Sequence, residues 1–77
     1  MSPDKLVRMA NQIAGFFDSQ PEPAAEAVAR HINDFWEPRM RARLLAHIAA
    51  GGEGLHASVR SAAPLIRPPA EAPAPAD

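Results

Sequence analysis

Apolar side chains recur along the first part of the chain at helical spacing. Leu6, Met9, Ala10, Ile13, Ala14 and Phe17 fall at intervals of three and four residues, the pattern of an amphipathic helix. Ser2 is placed to cap it, Pro3 suits its first turn, and Asp4 complements the positive helix end. Val7 and Phe16 widen the apolar face, so this helix is expected to touch more than one neighbour. Gly15 costs about 1 kcal/mol against alanine in such a position, which points to close packing there. The run Asp18-Ser19-Gln20-Pro21-Glu22-Pro23 breaks the pattern.

A second helix is expected from Pro23, with Ala25, Val28, Ala29 and Ile32 as its apolar face. Asp34 and Glu37 then stand at the D-x-x-E spacing, a weaker relative of the capping box, and Pro38 is tolerated only in a first turn. Asn33 or Asp34 is therefore the expected joint with a third helix. That helix should bury Met40, Leu44, Leu45 and Ile48 and stop at Gly51-Gly52. A short fourth helix is expected over residues 55 to about 63, burying Leu55, Val59 and Ala62, with Leu65 and Ile66 left to pack beyond it. No strand pattern competes. The predicted fold class is all-α: a small bundle of three to four short helices over residues 1–67. Residues 68–77 hold four prolines and no large apolar group, and read as a disordered Pro/Ala-rich tail.

Composition limits what such a bundle can do. Apolar types make up 47% of the 77 residues, but 17 of them are alanine, which leaves 19 larger side chains for a core. A chain this short rarely gains more than roughly 3–5 kcal/mol from its own core. It contains no cysteine, so no disulfide can add to that, and thiolate zinc and Fe–S sites are excluded. A small, partner-dependent domain is the first expectation. No apolar run approaches a membrane span, and the N-terminus lacks a basic start and apolar stretch; a cytoplasmic protein is expected.

The net charge of −1 argues against a general nucleic-acid binder, yet the distribution is uneven. Residues 1–38 carry three bases and six acids, whereas residues 39–67 carry five arginines and one acid. Candidate chemistry is sparse. His31, His47 and His56 never pair at a spacing that places two ligands on one helix face. His47, beside Ile48, reads as a partly buried, hydrogen-bonded histidine. Ser2, Ser19, Ser58 and Ser61 have no neighbouring base in a recognisable arrangement. Gly51-Gly52-Glu53-Gly54 looks superficially like a phosphate-binding loop, but it follows a helix and lacks the terminal lysine. It reads as a corner whose glycines supply positive φ. Glu22 and Glu26, four apart, read as a solvated face rather than an acid/base pair.

The richest segment is Phe35-Trp36-Glu37-Pro38-Arg39-Met40-Arg41-Ala42-Arg43. One reading makes the arginines a solvated rim, with Phe35 and Trp36 filling the core. A second makes Phe35, Trp36, Arg39, Met40, Arg41 and Arg43 a partner interface, since Trp and Arg dominate binding hot spots. A third is a free-standing helical nucleic-acid-binding module using Arg39, Arg41 and Arg43.

At these residues the chain resembles a known family. Lys5 to Ala14 with Phe16-Phe17, then His31-Ile32-x-x-Phe35-Trp36-x-Pro38-Arg39-Met40-Arg41, then Gly51-Gly52-x-Gly54-Leu55 with Val59, are similar in order and spacing to the delta subunit of the soluble NAD-dependent formate dehydrogenase. The resemblance runs from residue 5 to about 66 and leaves out the tail. It implies an accessory subunit, non-catalytic by itself, that stabilises or helps assemble the large alpha subunit carrying the molybdenum–pterin cofactor and Fe–S clusters. It further implies beta and gamma subunits carrying FMN, more clusters and the NAD site, so that formate oxidation delivers electrons to NAD. No catalytic, cofactor-binding or metal residue is carried over to this chain.

Overall fold

A computed structural model describes residues 2–69. In chain order the elements are α1 (Pro3–Asp18), α2 (Ala24–Phe35), α3 (Pro38–Ala49) and α4 (Ala57–Ala62), followed by a 3₁₀ turn over Ala63–Leu65. The described residues contain no strand, and none of their helices is long and apolar enough to cross a membrane. The all-α expectation holds. From residue 70 onward the expected tail lies outside the described residues.

The start of α1 forms as its sequence dictates: the Ser2 hydroxyl accepts the Lys5 backbone N–H at 3.3 Å, and Pro3 occupies the first turn. Its buried face is Leu6, Ala10 and Ala14. Helix α2 is the hub of the bundle, packing most extensively on α4 and next on α1. It contributes Ala27, Val28, Ala29 and Ile32 to the interior, of which Ala27 escaped the predicted face. The largest fully buried side chains are Ile32, Leu44, Val28 and Val59, one or two from each of α2, α3 and α4. Ala10, Ala14, Ala27 and Ala62 are fully buried too, and such small contacts let helices approach closely, so few large side chains suffice to fill the centre.

Several local expectations are corrected. The joint between α2 and α3 falls at Trp36-Glu37, not at Asn33 or Asp34. Asn33 stays helical because its side chain bonds a distant segment instead of competing for its own backbone. Glu37, by contrast, precedes a proline and is driven to extended backbone, with ψ of 154°. It caps α3 without a side-chain bond, so the D-x-x-E spacing forms no capping box. On α3 only Leu44 is fully buried; Met40, Leu45 and Ile48 are half-buried, because this helix lies at the edge and packs mainly on α1. Leu55 is buried ahead of α4 rather than within it, and Ile66 packs inside while Leu65 stays exposed. Gly15 has no neighbour within 4 Å of where a Cβ would sit, so no close packing explains it.

Candidate partner-docking surface

The segment singled out in the sequence divides into buried, bonded and exposed parts. Trp36 lies in the core with 7% of its surface accessible, whereas Phe35 next to it is 73% exposed. Arg41 is turned to internal use. Its Nη1 donates to the Trp36 carbonyl and its Nε to the Arg67 carbonyl, both at 2.9 Å. The guanidinium fork thus ties the α2–α3 joint to the chain leaving the 3₁₀ turn. Asn33 holds the same exit: its Nδ2 donates to the Leu65 carbonyl at 3.0 Å and its Oδ1 accepts the Arg67 N–H at 2.8 Å. Nothing in the local sequence pattern announced this double clasp, except that an asparagine inside a helix is unusual without a tertiary partner.

Arg39 is exposed and Met40 is half-buried against the core. Arg43 is exposed beside Ser2, Pro3 and Leu6, bordering a recess of about 300 Å³ that Ala46 and His47 complete. The six interface candidates therefore do not share one exposed face.

The glycine corner after α3 behaves as its composition suggests. Gly51, Gly52 and Gly54 have φ of 126°, 66° and 84°, and a Cβ on Gly52 would stand 2.9 Å from Cδ of Arg60. Its polar groups are engaged by the fold. His47 Nε2 donates to the Glu53 carbonyl and Asn11 Nδ2 to the Gly54 carbonyl, each at 2.9 Å, and Asn11 Oδ1 accepts the His56 N–H. Asn11 is a second polar clasp that sequence reasoning missed. Among the described residues no three His, Cys, Asp or Glu side chains gather as a metal site.

A different surface stands out by its chemistry. Between α1 and α2 a cleft of about 410 Å³ is lined by Met9, Ile13, Phe16, Phe17, His31 and Trp36, with Gln12 at its lip. Phe16 is 61% exposed. Rings run across this face at short spacing: Phe16 to Phe17 at 5.0 Å edge-on, Phe17 to His31 at 6.2 Å and His31 to Phe35 at 4.7 Å. Large aromatics left in water beside an otherwise closed core mark an interaction surface more than a core defect. The sequence hinted at it only through Phe16, which lies at the margin of the α1 apolar face.

These features define a small helical domain whose polar groups largely serve its own loops and whose aromatic side chains cross one open face. Residues 5–63 match the NADH-dependent formate dehydrogenase delta subunit family, FdsD, and the chain belongs to that family. No curated protein matches it.

Proposed function

We propose that this chain is a non-catalytic accessory subunit of a cytoplasmic NAD-dependent formate dehydrogenase, docking on the large alpha subunit and stabilising it or assisting its assembly. The family match over residues 5–63 carries this reading. The enzyme's molybdenum–pterin cofactor, Fe–S clusters, FMN and NAD belong, on this reading, to the alpha, beta and gamma subunits. This chain's own residues do not fit an Fe–S cluster, since it has no cysteine to ligate one. The docking contact includes the exposed Phe35, Arg39 and Arg43, with Trp36, Met40 and Arg41 supporting them from beneath. Arg41 also weakens the nucleic-acid alternative, because its guanidinium is already bonded to two carbonyl groups.

Co-expression with the alpha, beta and gamma subunits tests the proposal. The chain is expected to co-purify with the molybdenum–flavin complex and to raise the yield of active enzyme. An Arg39→Glu variant should bind less of it. Failure of the wild-type chain to co-purify, together with tight and steeply salt-dependent binding to duplex DNA, would overturn the proposal in favour of the nucleic-acid module.

A further inference from the structure

We propose that the α1–α2 cleft receives an amphipathic helix of the partner polypeptide, one that carries acidic residues on the flank lying along α1. The inference rests on the subunit reading above and names the chemistry of the contact.

Shape supplies the first support. A groove between two packed helices accepts the side-chain ridge of a third, and helical ligands enter such grooves through anchors at i, i+3 or i+4, and i+7. From Met9 to Phe16 the cleft follows two turns of α1, about 10 Å at 1.5 Å per residue, which matches that anchor span. Its lining is thioether, aliphatic and aromatic, suited to Leu, Ile or Phe anchors.

Charge supplies the second support. Lys5 stands one helical turn before Met9, and Arg8 one turn before Gln12, so both continue the α1 lip of the cleft. Both are exposed, and neither enters an ion pair among the described residues. Of the α1 acids, Asp18 lies about 180° around from Met9, and Asp4, one turn before Arg8, lies about 40° beyond Arg8 on the side away from the cleft, so Lys5 and Arg8 stand nearer the cleft than either acid. Asp18 also faces His56 at 3.5 Å. The α1 lip is thus cationic on a chain of net charge −1. Across the cleft, Asp34 follows His31 by three residues and gives the α2 lip the opposite sign. A helix with acids on one flank is received in one orientation only, the acids against Lys5 and Arg8.

The test uses the full chain co-expressed with the other subunits. The photoreactive p-benzoylphenylalanine is placed at Phe16 or at Phe35, the complex is purified and irradiated, and adducts are mapped by mass spectrometry. Both positions are expected to capture one partner peptide with helical apolar spacing and acidic residues. Capture of a second copy of this chain, or of its own residues 70–77, overturns the proposal. So does the absence of adducts in a chain that still co-purifies, and in that case the subunit reading survives. Failure of the wild-type chain to co-purify sinks both. In a second arm, Lys5→Glu combined with Arg8→Glu should lower retention of the complex at least tenfold at low salt. Circular dichroism should stay unchanged, since both side chains are exposed. Retention equal to wild type overturns the proposal.

Discussion

Replacing Asn33 by alanine removes both bonds that hold residues 65–67 against α2, at 3.0 and 2.8 Å. Each neutral hydrogen bond contributes about 0.5–1.5 kcal/mol net. Alanine returns roughly 0.6 kcal/mol through its better helix propensity. The net loss centres on about 1.5 kcal/mol, a large share of the roughly 3–5 kcal/mol that a core of this size supplies. At about 4–8 °C per kcal/mol, the thermal midpoint should fall by about 6–12 °C. Thermal circular dichroism of the full chain measures the midpoint, and hydrogen exchange locates the change, because the Arg67 amide should lose protection. Asn33→Asp is the informative companion. It keeps the acceptor for the Arg67 N–H, so protection there persists, but it sets a carboxylate against the Leu65 carbonyl and still lowers stability. A midpoint for Asn33→Ala at or above wild type would refute the clasp as a source of stability.

Other perturbations follow from the same geometry. Ile32→Ala empties the middle of the core and costs about 2–5 kcal/mol, so the helical dichroism of the isolated chain should be largely lost at 25 °C. Gly15→Ala should raise the urea midpoint by the equivalent of about 0.5–1 kcal/mol, since nothing stands within 4 Å of the new methyl group. Gly52→Ala should lower it by about 1–2 kcal/mol, because φ is 66° and Arg60 is in the way. Truncation after residue 69 removes no large apolar side chain, so melting temperature and co-purification should match the full chain.

The helices were legible because their signals are local. Spacing placed the α1, α2 and α4 faces, proline and serine marked the first helix start, and paired glycines marked the end of α3. What escaped was non-local. Asn33, with Asp34, read as the joint between two helices until its partners, 32 and 34 residues further on, were known. Arg41 read as an interface cation alongside Arg39 and Arg43, yet two carbonyls fix it inside the fold. Periodicity distinguishes an apolar face from a polar one, but it does not say which part of a wide apolar face is left uncovered. Leu6 and Phe16 belong to one helix, and only the placement of the other helices decides that one is buried and the other open.

The dependence of α2 on α4 sets a timetable for a chain emerging from the ribosome. Val28 and Ile32 lie on the helix whose most extensive packing is with α4, translated later, and the clasp closes when Arg67 reaches Asn33, 34 positions downstream. At about 5–20 residues per second, that interval lasts roughly 2–7 s. The aromatic cleft obeys an earlier clock, because its last lining residue is Trp36. A nascent chain therefore holds every lining residue of its cleft 31 positions before Arg67 completes the clasp, and a partner encountered in that window meets α1 and α2 first.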